Sequence, residues 1–146
     1  MKNPISKRIV LDTSVLVSAS RSRQGASFAL LSKIPTPDFT ICLSVGLYSE
    51  WLEVLSRPEN LPPGSTSKDA EGFVRYLASQ AHLQQIHFLW RPFLVDSDDD
   101  MVLELALAAG CEHIITHNVA DFRGSEQLGI EVLAPREFLA MVKGNS

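Results

Sequence analysis

Four groups of oxygen-bearing side chains lie where predicted strands end or helices begin, and these side chains could hold a divalent cation. The groups are centred on Asp12, on Glu50, on the acidic run 96–100 and on the polar segment 116–121. Carboxylate, hydroxyl and amide oxygens are ligands that Mg²⁺ and Mn²⁺ favour, whereas zinc sites are usually built from Cys and His. The residue types therefore indicate magnesium or manganese chemistry.

Each group also has a purely structural interpretation. Asp12 could cap a helix N-terminus, and Glu50 could lie on the solvated flank of a helix. The segment 116–121 could be a polar loop containing an Asx turn. Acids at 96–100 could complement a helix dipole, but four Asp in five positions exceed what capping needs, and their mutual repulsion favours a nearby cation. Taken together, the four positions favour a metal site.

The elements that must position these groups are predicted by periodicity. Strands alternating with helices indicate a parallel α/β sheet. The predicted strands are Lys7–Asp12, Phe39–Leu43, Ile86–Trp90, His113–Thr116 and Ile130–Leu133. The predicted helices include Val15–Ala19, Ser44–Ser56, Ala70–Ala81, Met101–Ala109 and Pro135–Val142, with a surface loop at Pro58–Ser67. Ligands of an open parallel sheet bind beyond the carboxyl ends of its strands, where these groups lie.

The composition limits the class of protein. With 146 residues, 45% hydrophobic and 21% charged, the chain is too apolar for a disordered tail, and we expect one domain over residues 1–146. No apolar run approaches the roughly 18–20 residues of a membrane span, and no secretory signal is recognisable, so we expect a cytoplasmic protein. Cys42 and Cys111 lack metal-ligand spacing and are expected to be small buried residues.

The net charge bears on possible partners. Seventeen acids against 13 bases give −4, and the bases are scattered, which excludes a broad basic surface for nucleic acid. A polyanionic partner would have to be held locally. If four acids belong to a metal site, the other 13 acids balance the 13 bases.

These residues resemble the PIN-domain family of metal-dependent ribonucleases, especially its bacterial VapC-like toxin branch. The resemblance extends from Arg8 to Val142. It rests on five segments in order, which are Val10–Val17, Ser44–Pro58, Asp98–Gly110, Ile114–Phe122 and Gly129–Leu139. It implies a single α/β domain, an α/β/α sandwich around a mainly parallel central sheet.

The resemblance also implies a catalytic site. Position by position, Asp12 and Asp100 would ligate one or two Mg²⁺ or Mn²⁺ ions directly, while Glu50 and Asp121 would bind the metal or its waters. The implied supporting residues are Ser14, Thr116, Asn118 and Asp98. Two of them depart from the family pattern, since Ser14 stands where Asn is usual and Asn118 where many members have Asp.

The activity implied by the resemblance is hydrolysis of RNA phosphodiester bonds that leaves 5′-phosphate and 3′-hydroxyl ends. Unpaired RNA is the expected substrate, because its backbone reaches a narrow site most easily. Candidate phosphate contacts, named from their positions near the four groups, are Arg21, Arg23, Arg91 and Arg123. The toxin branch further implies an antitoxin partner and a homodimer.

Two other functions are compatible with parts of the sequence. Because Ser14 and Asn118 depart from the family pattern, the chain could be a catalytically weak PIN-like module that binds RNA or a protein. A phosphatase of the haloacid-dehalogenase type also starts with Asp after a strand. That class needs a second Asp two residues later, where this chain has Ser14.

Overall fold

Short parallel strands form the centre of the molecule. The computed structural model describes residues 7–86 and 97–144, and only the backbone of 97, 98, 143 and 144. Within these ranges the strands are β1 (Lys7–Leu11), β2 (Phe39–Leu43), β3 (His82–Leu83), β4 (His113–Ile115) and β5 (Glu131–Leu133). They form one five-stranded sheet in the order β3-β2-β1-β4-β5, with every pair parallel. The predicted parallel α/β domain is confirmed.

Six α-helices accompany the sheet in the described part of the chain. They are α1 (Thr13–Arg21), α2 (Ala26–Ser32), α3 (Val45–Leu55), α4 (Ser67–Ser79), α5 (Ser97–Ala108) and α6 (Pro135–Gly144). Helix α5 packs on β1, β2 and β4, whereas α1 contacts α2 and α3, and α3 contacts α4. Within the described ranges, no helix has the length and apolar character needed to cross a membrane.

Both faces of the central strand are covered. Ile9, Val10 and Leu11 of β1 are all completely buried, although successive side chains point to opposite faces of a sheet. Such continuous apolar strands are typical of parallel sheets with helices on both faces. The residue after β1 is therefore held at the end of a completely buried stretch of strand.

The third strand differs from the sequence prediction. It lies at His82–Leu83 and pairs with Cys42 and Leu43 of β2, whereas the predicted Ile86–Trp90 starts at a residue outside any strand and continues beyond the described residues. The chain joins β2 immediately after α4, and Gln84 N donates to Leu43 O at 2.8 Å. Two residues, one of them the exposed Leu83, are too few to give a readable apolar pattern.

The bounds of other elements also differ from the sequence prediction. Helix α2 was not predicted, and α5 begins at Ser97, four residues before the predicted start at Met101. Asp98, Asp99 and Asp100 thus belong to the first turn of α5, where carboxylates complement the helix dipole. The long loop after α3 contains a 3₁₀ helix at Pro58–Asn60.

Candidate active site

Asp12 occupies the turn between β1 and α1, at the carboxyl end of the central strand. It stands at the N-cap position of α1, but its side chain accepts no capping hydrogen bond from the helix. Instead, Oδ2 accepts hydrogen bonds from Ser14 Oγ at 2.9 Å and from Thr116 Oγ1 at 2.7 Å. Capping therefore does not explain this buried carboxylate, which is only 8% exposed.

The pairing of β1 with β4 brings Thr116 to Asp12. Leu11 lies opposite Ile115 in the parallel register, and Asp12 N donates to Ile115 O at 2.9 Å. The two hydroxyls are themselves held by the backbone. Asn118 N donates to Thr116 Oγ1 at 2.9 Å, and His117 N donates to Ser14 Oγ at 3.1 Å. Because each hydroxyl accepts from an amide, its proton is directed to the carboxylate.

The other oxygen of this carboxylate, Oδ1, accepts no hydrogen bond from a described residue. Ser14, which the resemblance implies as a supporting residue, donates one of the two hydrogen bonds to Oδ2.

Glu50, on α3, accepts a hydrogen bond from the hydroxyl of Thr13, the residue after Asp12. Ser44 caps the N-terminus of α3, where its side chain accepts from Leu47 N at 3.2 Å, and the helix buries Leu47, Trp51 and Leu55. Glu50 borders this apolar face and is half-buried, and its Oε2 accepts a hydrogen bond from Thr13 Oγ1. Sequence reasoning missed Thr13, although its hydroxyl directly follows Asp12.

An open cavity of about 670 Å³, here called the site cavity, lies beside these groups. Its walls include Thr13 and Ser14 of α1, Gly46, Glu50 and Glu53 of α3, Arg57 just after α3, and Met101 of α5. Helices α3 and α5 approach closely here, since a Cβ at Gly46 would lie 2.8 Å from Met101 Sδ. The cavity joins three separate elements at one edge of the sheet.

Asp100 lies in the first turn of α5, directly before Met101. It is 7% exposed, as expected if the apolar helix behind it anchors the side chain. The helix packs on β1 and β4, the two strands whose ends carry Asp12 and Thr116. This arrangement places a second buried carboxylate on an element that reaches the site cavity.

The four predicted metal ligands do not form one compact cluster. Within residues 7–86 and 97–144, no three Asp, Glu, His or Cys side chains gather as an ion would require. Asp121 is exposed, on a 3₁₀ helix (Val119–Phe122), and only the neighbouring Phe122 is buried there. The donor chemistry still fits Mg²⁺, which is usually held by one or two carboxylates together with waters and substrate phosphate.

None of the described arginines that are predicted to contact phosphate lines the site cavity. Arg21 donates to Asn60 Oδ1 at 2.8 Å, and the Arg23 guanidinium lies 6.0 Å from the Phe28 ring centre. Arg123 lines a different cavity, between the β4–β5 connection and β5. Arg91 and the side chain of Asp98 lie outside the described residues.

Sequence reasoning missed a different arginine. Arg57 lines the site cavity and pairs with Glu53 at 2.7 Å. The available signal was its spacing of four residues from Glu53, which is the spacing of an ion pair along a helix.

Both histidines around the segment 113–118 have structural contacts. The buried His113 Nε2 is 2.9 Å from Glu131 Oε1, and His117 Nε2 is 2.7 Å from Ser27 Oγ. Cys42 and Cys111 are free and buried, as predicted.

Comparison with known proteins agrees with this architecture. Residues 8–120 match the family model of the PIN domain, a range that includes Asp12, Glu50 and Asp100. No curated protein matches the chain in sequence. The fold is similar to the structure of VapBC-1 from nontypeable Haemophilus influenzae, with a TM-score of 0.60 and 15% identity over 88% of this chain and 98% of that one. The chain therefore belongs to the PIN-domain family.

Proposed function

We propose that this chain is a divalent-metal-dependent ribonuclease that hydrolyses RNA phosphodiester bonds and acts as the toxin of a bacterial toxin–antitoxin pair. The observation that carries the proposal is the buried carboxylate of Asp12. It lies at the carboxyl end of the central strand and is held by two hydroxyls from different elements, and its Oδ1 accepts no hydrogen bond from a described residue. Membership of the PIN-domain family supports the same chemistry.

Asp12 and Asp100 would hold Mg²⁺ or Mn²⁺, with Glu50 and Asp121 binding the ion or its waters. When bound, the ion neutralises charge on the phosphate and activates water. Ser14 and Thr116 fix the direction of the Asp12 carboxylate, and Thr13 fixes Glu50 at the wall of the site cavity. A carboxylate held there is suited to orient the attacking water. The water oxygen bonds to phosphorus as the P–O3′ bond breaks and O3′ takes up a proton, so that a 5′-phosphate and a 3′-hydroxyl remain.

The activity is tested by cleavage of a mixed panel of unpaired RNAs in the presence of Mn²⁺. Because Asp12 and Asp100 would carry the ion, Asp12→Asn and Asp100→Asn should each lower the rate by at least about 100-fold. Glu71→Gln, which removes one exposed acid on α4, is the matched charge control and should cleave normally. Unchanged cleavage in both Asp variants would refute the nuclease assignment.

Metal binding is tested independently by thermal unfolding. An ion at 100 times its Kd stabilises the folded state by about 2.7 kcal/mol, which would raise the Tm of a chain of this size by roughly 5–10 °C. Asp12→Asn should abolish the increase, and EDTA should reverse it in the wild-type protein. No increase in wild-type protein at millimolar Mn²⁺ would contradict a metal site.

The toxin role is tested by expressing the chain without the neighbouring open reading frame. Wild-type protein should arrest growth, and Asp12→Asn should not, because arrest would depend on RNA cleavage. Co-expression with the neighbouring frame should restore growth and yield a complex, with the toxin expected as a homodimer in the cytoplasm. Normal growth with wild-type protein would count against toxicity.

The second candidate is a catalytically weak PIN-like module that binds RNA or a protein. Two observations favour it, namely the neutral Asn118 at a position where the resemblance implies an acid, and the lack of a three-acid group among the described residues. This module would bind its partner without Mn²⁺-dependent cleavage and without a metal-induced rise in Tm. The same two assays therefore separate the candidates.

A further inference from the structure

Three charged residues of α3 and of the turn after it line the site cavity. Glu50 and Glu53 lie one turn apart on α3, and Arg57 follows two residues after the helix ends at Leu55. Among the described residues that line the cavity, Arg57 alone is positively charged.

Arg57 is held by an acid that solvent can reach. Its Nε and Nη2 both donate to Glu53 Oε2, at 3.1 and 2.7 Å, and the two side chains are 47% and 65% exposed. Hydrogen bonding to Glu53 and the charge of that carboxylate raise the pKa of Arg57, which stays protonated. Because water screens exposed ion pairs, this pair is weak and readily exchanged.

We propose that Arg57 binds a backbone phosphate of the RNA next to the cleaved bond, and that Glu53 competes with this phosphate for the guanidinium. This inference rests on the proposed function, since an RNA backbone must enter the site cavity. A guanidinium has five N–H donors, of which Glu53 engages two, and its planar fork matches two phosphate oxygens. Exchange of the carboxylate for phosphate keeps the arginine paired.

The charge of Arg57 also offsets the repulsion between the acids of the site cavity and an RNA backbone. Glu50 and Glu53 repel an entering RNA backbone, and the scattered bases provide no broad positive surface. Arg57 supplies the one positive charge among the described residues that line the site cavity, where it can contact a phosphate flanking the one at Asp12. Glu53 keeps that charge neutralised until phosphate displaces it.

Binding is tested with a short fluorescent oligouridine and fluorescence anisotropy, in an Asp12→Asn background that prevents cleavage. Arg57→Ala should raise Kd about fivefold. It should also reduce the slope of log Kd against log salt concentration by about 0.7, the value for one phosphate contact on a single strand. Arg57→Lys, which keeps the charge but not the fork, should recover part of the affinity. Arg75→Ala, an exposed arginine on α4, is the control and should bind normally.

The competition is tested by Glu53→Gln. This variant should bind oligouridine about two- to threefold more tightly, and most of the gain should disappear when Arg57→Ala is also present. Glu71→Gln makes the same charge change elsewhere and should give no such gain. Equal binding by the Arg57→Ala and Arg75→Ala proteins, or an equally large gain from Glu53→Gln without Arg57, would overturn the inference.

Cleavage kinetics separate this inference from the proposed function. In an otherwise wild-type chain, Arg57→Ala should raise KM about fivefold while kcat stays unchanged, because a binding contact made equally in the ground and transition states is lost. Mn²⁺-dependent cleavage with an unchanged KM would refute the role of Arg57 and leave the nuclease intact. Arg57-dependent binding without any cleavage by wild-type protein would support Arg57 and refute the nuclease.

Discussion

Hydroxyl groups organise the carboxylates of this PIN domain. Ser14 and Thr116 converge on one oxygen of Asp12, and Thr13 holds Glu50. Each hydroxyl on Asp12 is oriented by a backbone N–H of the segment that follows β4. A serine at position 14 therefore keeps the support for which the family usually has an amide, at a distance of 2.9 Å.

Loss of the Thr116 hydroxyl should impair both activity and stability. Thr116→Val keeps the shape of this completely buried side chain but leaves Asn118 N without its acceptor and Asp12 with one donor fewer. We expect about tenfold slower RNA cleavage and a loss of about 1–3 kcal/mol in the free energy of unfolding. Cleavage kinetics and urea unfolding measure the two effects, and Thr116→Ser should recover most of both. A valine variant that cleaves like wild type would contradict the role of Thr116.

Thr13 should affect catalysis through Glu50. Thr13→Val removes this hydroxyl donor from Glu50 and so weakens the positioning of its carboxylate. We expect kcat to fall about tenfold with little change in KM, and Thr13→Ser to restore it. If the serine and valine variants have equal kcat, the hydroxyl has no positioning role.

At the scale of elements, the site depends on where helices begin. Asp12 precedes α1, Asp100 lies in the first turn of α5, and Glu50 lies in the second turn of α3. Helix α3 is in turn supported by α4, which packs against it. The start of α4 is fixed by a capping box, in which Thr66 accepts from Asp69 N while the Asp69 carboxylate accepts from Thr66 N.

Removal of this cap should destabilise the fold without touching the site cavity. Thr66→Ala leaves an N-terminal amide of α4 without its acceptor and should lower the free energy of unfolding by about 1 kcal/mol, or the Tm by roughly 2–4 °C. Thermal unfolding followed by circular dichroism measures the change. Thr66→Ser keeps the cap and should behave like wild type, and an alanine variant as stable as wild type would show that the box contributes nothing.

At the scale of the whole molecule, the reactivity of the two cysteines measures whether the core opens. Cys42 lies on β2 and Cys111 just before β4, and both are buried within the apolar core. Hydrogen bonding to Cys42, together with burial, raises the pKa of the Cys111 thiol. The same hydrogen bond lowers the pKa of Cys42, so the reactivity of that thiol is limited by its complete burial. A protonated, buried thiol is a poor nucleophile.

Thiol labelling should therefore require global unfolding. At pH 7, an aromatic disulfide reagent should modify neither cysteine of the native chain on the timescale on which it modifies both in urea. Labelling at increasing urea concentration should follow the loss of circular dichroism. Rapid modification of the native protein at pH 7 would show that this part of the core opens locally.

The sequence by itself determined the class of fold, the family and the positions of the acids at strand and helix ends. These features are local, because apolar periodicity and short motifs involve neighbouring residues. The tertiary structure decided which side chains meet. Thr116 and Asp12 are 104 residues apart, and Thr13 and Glu50 are 37 apart, so neither contact follows from spacing. Packing likewise decided that Arg57 lines the site cavity. Its i,i+4 spacing from Glu53 fits an ion pair on any solvent-exposed helix, so the spacing alone does not place it at the cavity.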